Sequence, residues 1–445
     1  MSERRLNFRY LLTPDGLQRD RAVVVDEAGM IRSIEAAKGN WDGTLALPGM
    51  PNAHSHVFQR ALSGLGEARH GEDSFWSWRE AMYRLAARVD AEAMYAIARF
   101  AYGEMLAAGF TSVAEFHYLH HAPDGAPGPE MAEAVVEAAR DAGIRLRLLP
   151  VLYQRGGFGR PAGPGQARFL HEQLEDFLGL LETLKPIRPG LAFHSLRAVA
   201  VQDVAPSLSA VRDILGGGIP VHIHIAEQAR EVEDCLAASG RRPVELLLDS
   251  VALDAHWSLV HATHAGREEL EAVRAAGARV VVCPLTEAYL GDGLFPGRDY
   301  LAPGGEIAIG SDANARIDAV EELRWLEYGQ RLRDRARARF SDARGLGEAL
   351  WRRVATGGAA ALGLPVGRIE PGAAADFVVL EGEADVLIGL SPGRWLEALV
   401  VGGSRADIAA VVVGGEPRVE KGNWAGKSES AARYHACVKE LVGKA

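Results

Sequence analysis

From about residue 90 onward the chain alternates two patterns: segments in which apolar residues recur every three or four positions, and short runs that are apolar nearly throughout. The first is the signature of a helix with one buried face and the second that of a strand covered on both sides, so their alternation predicts repeated strand–helix units around a parallel sheet. After a first run leading into Pro51 to His56 come TSVAEFH at 111–117, RLRLLPVLY at 145–153, LAFHSL at 191–196, PVHIHIAE at 220–227, WSLVHATH at 257–264, RVVVCPL at 279–285 and EIAIGSD at 306–312. Between them, segments such as 90–109 and 128–143 open near an acidic or small residue and close at glycine, as helices do. Eight strands with intervening helices predict an α/β fold of the (β/α)8 TIM-barrel type. The ends of the chain break the pattern. Residues 1–48 and 364–422 carry short β-like stretches (AVVVDEAG, DFVVLEG, IAAVVVGGEPRVEKG) between Gly and Pro turns, and are expected to form one small β-sandwich-like domain from both termini. The barrel then spans 49–363, and a helical tail occupies 423–445.

Composition narrows what such a barrel can do. The 445 residues are 48% apolar and 24% charged, ordinary globular usage, which excludes disorder and fibrous folds for the chain as a whole. Acidic residues outnumber basic ones by 59 to 49, so no broad basic footprint for nucleic acid or an anionic membrane is expected, and an anionic substrate has to be met by individual Arg side chains. Cys235, Cys283 and Cys437 are odd in number and form no CxxC pair, which suits a reducing cytoplasm better than a disulfide framework. Charges interrupt the N-terminal segment where a signal sequence would need apolar residues, and no stretch approaches the roughly 18 apolar residues of a membrane span. The expectation is a soluble cytoplasmic protein.

In a barrel of this type chemistry sits at the C-terminal ends of the strands, and here those ends are rich in metal ligands. Strand one ends in His54-Ser55-His56, whose spacing of two puts both imidazoles on one face; strand five carries His222, His224 and Glu227, strand six His261 and His264, and strand eight Asp312. Converging imidazoles plus one carboxylate suit Zn2+, with Fe2+ or Mn2+ compatible with the same donors. Strand four ends in His194-Ser195-Leu196-Arg197, with Lys185 several residues ahead of it. Related barrels that hold two metals carry a bridging lysine at the end of strand four; this chain has none there, and one ion per subunit is expected. His222 reads as a residue of a lower barrel layer and His264 as structural.

These residues carry a resemblance. Residues 48–56 (PGMPNAHSH), HIAE at 224–227, GSD at 310–312 and the late GRIEPGAAADFVVLE together resemble the amidohydrolase superfamily over nearly the whole chain. Within it, HSHVFQR at 54–60, SFWSWRE at 74–80 and FHSLRAV at 193–199 are similar to the bacterial N-formimino-L-glutamate deiminases. The resemblance implies His54, His56, His224 and Asp312 as metal ligands, Glu227 as proton shuttle, and His261 and Asp312 as catalytic groups that polarise the reacting centre and orient the attacking water. It further implies Gln59, Arg79, Tyr118, His194 and Arg197 as contacts of a small dicarboxylate substrate, and a reaction that releases ammonia and N-formyl-L-glutamate.

Arg79 and Arg197 follow strands one and four, where guanidinium forks can clamp carboxylates that are costly to bury unpaired. The other histidines near Tyr118 (His117, His120, His121) are expected in a solvated loop, and the aromatic run Phe75, Trp76, Trp78, Tyr83 fits either helix packing or a lid over the mouth. A homodimer is expected, in line with such enzymes. Two other readings remain at this level: a deaminase of cyclic amidines or aminopurines, whose flat ligands need stacking surfaces more than Arg clamps, and a catalytically silent barrel that serves in binding.

Overall fold

The computed structural model describes residues 3–65, 67 and 75–443; Ser74 of the aromatic stretch and the outermost residues of both ends lie outside them. Eight parallel strands form the barrel in sequence order: Met50–Ser55, Phe110–His117, Arg145–Leu152, Leu191–Phe193, Val221–Ile225, Trp257–His261, Arg279–Val282 and Glu306–Ile309. Strand eight returns to strand one, with His56 N donating to Asp312 O at 2.9 Å and Asp312 N to His54 O at 3.0 Å. The closure needs Gly310, because a Cβ there would meet the His54 carbonyl at 2.7 Å and its Cβ at 2.6 Å. Gly357 does the same work on the outside, letting the helix Leu346–Leu362 lie on strand eight where a Cβ would be 2.0 Å from the Ile307 carbonyl.

The helices form where their caps predict. Asp90 accepts from Ala93 N at 2.8 Å to open Ala91–Ala107, and Gly143, with a φ of +78°, closes Glu130–Ala142. The strands between them are buried on both faces, which is why they read as continuous apolar runs.

The chain ends build a separate eight-stranded sheet. Strands from residues 4–48 sit beside Phe377–Leu380, Ala410–Val413, Glu416–Glu420 and Asn423–Trp424, antiparallel except for one parallel pair between Arg4–Thr13 and Gly43–Pro48. It joins the barrel through Trp351 Nε1 donating to Pro48 O and an Arg145–Asp376 ion pair at 2.8 Å. The helix Lys427–Val442 packs on Ala91–Ala107, with Tyr434 stacked on Phe100 and donating to the Arg60 carbonyl. Cys235, Cys283 and Cys437 are unpaired. Among the described residues no helix is long and apolar enough to cross a membrane.

Candidate active site and metal centre

The first barrel strand delivers His54 and His56 to one point. His56 Nδ1 lies 3.0 Å from the Phe116 carbonyl, which can only accept, so Nδ1 carries the hydrogen and Nε2 presents a lone pair. That lone pair faces His54 Nε2 at 3.1 Å and His224 Nε2 at 3.3 Å, and the last two are 3.0 Å apart. Asp312 Oδ1 completes the group, 3.5 Å from His54 Nε2 and 3.4 Å from His56 Nε2. Burial holds the rings neutral: the pKa of His56 falls to about 3, and those of His54 and His224 lie well below the usual histidine value. Three neutral rings crowding their Nε2 atoms together, with a carboxylate beside them, are mismatched as hydrogen-bond partners and well matched to a divalent cation, which the four residues would hold.

The backbone that presents these groups is strained. His261, Asp312 and Ala226, the residue before Glu227, have φ values of +67°, +45° and +50°, a region L-residues rarely occupy. A polar belt holds the turn after strand eight: Asn52 accepts from Ser311 N at 3.0 Å, and Asn314 donates to Ser55 Oγ at 3.1 Å and to the Asp312 carbonyl at 2.9 Å. The turn after His56 is braced from strand two by buried Glu115, which accepts from Val57 N at 2.6 Å and whose pKa burial raises to about 8. That turn carries Gln59, which donates to Tyr118 at 2.7 Å and keeps a buried Oε1 without a protein partner.

Glu227 faces the cluster with its carboxyl between two side chains, 3.3 Å from Arg197 Nη2 and 3.9 Å from His261 Nε2. Burial raises its pKa, reinforced by Glu231 and Asp312 and opposed by His261 and Arg197. His261 behaves oppositely. Burial pulls it down, but Glu227, the hydrogen bond to Glu287 and Asp312 together raise it to about 10. Its Nδ1 donates to Glu287 Oε1 at 3.4 Å, leaving Nε2 aimed at Glu227 and at Asp312 Oδ2, 3.7 Å away.

The barrel mouth opens into a cleft lined by polar and aromatic side chains above the histidine and carboxylate cluster. Every residue put forward from the sequence lines it except His54, which lies beneath, fully buried. Arg79 comes from the helix Phe75–Ala86, whose Phe75, Trp78 and Tyr83 also face the cleft, so the aromatic run is at once packed helix and wall of the mouth. Arg197 reaches the cleft while shared with Glu227 and with Glu231 at 4.0 Å. His194 sits edge-on to His224, Tyr118 and Tyr153. Lys185 is away from this site, in a surface pair with Glu182. His222 Nε2 donates to the Ala361 carbonyl at 2.9 Å, a layer below the mouth.

Two expectations need correction or addition. His117 and His120 are buried and His121 half-buried, not solvated: His117 ends the second barrel strand against the His120 ring, and the segment 164–171 closes over the other two, with His120 N and His121 N donating to the Arg168 carbonyl. Glu287 and Tyr153 were not picked out. Tyr153 directly follows strand three, where the strand-end rule alone would have found it; Glu287 lies in the helix after strand seven, and no sequence spacing ties it to His261.

Known proteins bear on this geometry as follows. The amidohydrolase family model matches residues 45–418. The formimidoylglutamate deiminase of Pseudomonas aeruginosa is 46% identical over 97% of this chain and 98% of its own length. A crystal structure of an amidohydrolase from Brucella melitensis has a TM-score of 0.90 and 42% identity, covering 98% of this chain and 99% of that one. An adenosine deaminase from Xanthomonas campestris with bound zinc shares the fold at a TM-score of 0.81 and 21% identity, covering 98% of each chain. The family match begins before the first barrel strand and runs past the last into the terminal sheet, so it takes in the entire barrel: the chain belongs to the amidohydrolase family and is a hydrolase.

Proposed function

We propose that this amidohydrolase is a deiminase that converts N-formimino-L-glutamate and water into N-formyl-L-glutamate and ammonia, a step of histidine degradation. The observation that carries the reading is that two guanidiniums, Arg79 and Arg197, line the same cleft as the histidine and carboxylate cluster. They are fixed cations for a substrate with two carboxylates, set beside a hydrolytic centre. The 46% identity to the Pseudomonas aeruginosa deiminase supports it.

His54, His56, His224 and Asp312 would hold one Zn2+, with Fe2+ and Mn2+ suited to the same donors. A bound divalent cation supplies the acidification that lets water act as a nucleophile near neutral pH. The protein supplies the rest. Glu227, with its raised pKa, accepts a proton as water adds to the formimino carbon and returns it to the terminal nitrogen, which departs as ammonia. His261, set among Glu227, Glu287 and Asp312, places a ring nitrogen donor where negative charge develops during addition. Gln59 offers its unpartnered oxygen and Tyr118, His194 and the two arginines their donors, so the substrate enters with its carboxylates away from the reacting carbon.

A substrate panel tests the reading. The zinc-loaded protein is expected to favour N-formimino-L-glutamate over adenosine, guanine and cytosine by at least about 10^3 in kcat/KM, the scale set by unpaired buried charge. Preference for an aminopurine or a cyclic amidine would overturn it.

A further inference from the structure

A cleft that takes a dicarboxylate must direct donors at four oxygens, and both guanidiniums are partly engaged elsewhere. Arg197 is shared with Glu227 and Glu231, and Arg79 lies over Trp76 and Tyr83, 4.4 and 5.6 Å from their ring centres. A neutral donor stands within electrostatic reach of both. Tyr153 is buried, lines the cleft, packs against His194 with ring centres 4.5 Å apart, and has Tyr83, Arg197 and Arg79 acting on its phenol.

The direction of its hydroxyl hydrogen follows from Gln166. The backbone N–H of Gly163 can only donate, so the Gln166 oxygen faces it at 2.8 Å and the amide nitrogen is left facing Tyr153 at 2.5 Å. That nitrogen donates, so the phenolic oxygen accepts there and its own hydrogen is directed elsewhere. On the remaining side are the Tyr83 hydroxyl, to which it donates, and the cleft itself, where a substrate carboxylate would compete with Tyr83 for that hydrogen. Gln166 is itself buried and held by the turn 163–166, so this orientation is built into the fold.

We propose that Tyr153 is a substrate-binding residue that donates its hydroxyl hydrogen to a carboxylate of the substrate, alongside Arg79 and Arg197. The dicarboxylate class is taken from the reading above. The phenol complements the arginines because it adds a directional donor without adding charge, and it is aimed by a partner, Gln166, that does not line the cleft.

The test compares wild type with Tyr153→Phe, as zinc-loaded full chains, for kcat and KM with N-formimino-L-glutamate and for glutarate binding by calorimetry. Tyr153→Phe is expected to raise KM and weaken glutarate by about 10- to 100-fold, the scale of a hydrogen bond to a charged group, with kcat within about threefold. Gln166→Leu should move KM in the same direction by less. Unchanged KM and glutarate affinity in Tyr153→Phe would overturn the proposal, as would a loss confined to kcat. If wild type fails to turn over the formimino compound yet binds glutarate, and Tyr153→Phe weakens that binding, the reaction is wrong and the role of Tyr153 stands. If wild type neither turns over the compound nor binds glutarate, both fail.

Discussion

Two groups of histidines, buried but for the half-buried His121, occupy the same end of the barrel, and their ring nitrogens are directed differently. In the first, His54, His56 and His224 crowd their Nε2 atoms to within 3.3 Å of one another beside Asp312. In the second, His117, His120, His121 and His171 pack ring against ring, but His120 and His121 point their Nε2 atoms at the backbone carbonyls of Val151 and Leu170. Burial depresses the pKa in both, to about 3 for His56 and for His171. Number, burial and protonation state therefore do not make a metal centre. Convergence of lone pairs does, and among the described residues the groups of three candidate ligand atoms within 4.8 Å of one another all draw on His54, His261 or Asp312.

The comparison can be broken most severely at a ligand. His224→Asn should lose at least about 100-fold in metal affinity and fall to background turnover, whereas His171→Asn should bind metal as wild type does; metal content after dialysis against a chelator checks both. Next is Glu227→Gln, which keeps every ligand and removes the titratable carboxyl. Turnover should drop about 10^2- to 10^4-fold with metal content unchanged, and substantial remaining activity would remove its role as proton shuttle. Glu287→Gln tests the hydrogen bond that orients His261, with an expected 10- to 100-fold fall in kcat, little change in KM and metal retained.

The smallest effect is on stability. His117 and His171 have folded pKa values of about 4 and about 3, below the unfolded value near 6.5, with burial the cause. As pH falls from about 6.5 to about 4 the unfolded chain binds protons that the folded chain does not, so stability is lost by about 1.4 kcal/mol per pH unit for each such histidine. Replacing His171 by Gln should flatten the pH dependence of the urea midpoint over that window by about one proton. An unchanged slope would mean that His171 is already protonated in the folded state.

Much of this was legible in the sequence, for a physical reason. A strand buried on both faces has to be apolar until it reaches solvent, so polar residues at the ends of such runs mark the barrel mouth, and His54, His56, His224, Glu227, His261 and Asp312 all come from that rule or from the family resemblance. What escaped depends on contacts between distant segments. Glu287 meets His261 only because strands six and seven pair in register, Ser258 beside Arg279. The loop histidines look solvated in the sequence because nothing in 117–121 announces that 164–171 will cover them. Gln166 is thirteen residues from Tyr153, and its role as an aiming partner rests on a turn formed with Gly163.

The most direct test of the central claim is to run the reaction with N-formimino-L-glutamate in water enriched in oxygen-18 and weigh the products. The account predicts free ammonia and N-formyl-L-glutamate carrying one heavy oxygen in the formyl group. Formamide with unlabelled glutamate, or no turnover by fully metal-loaded protein, would contradict it.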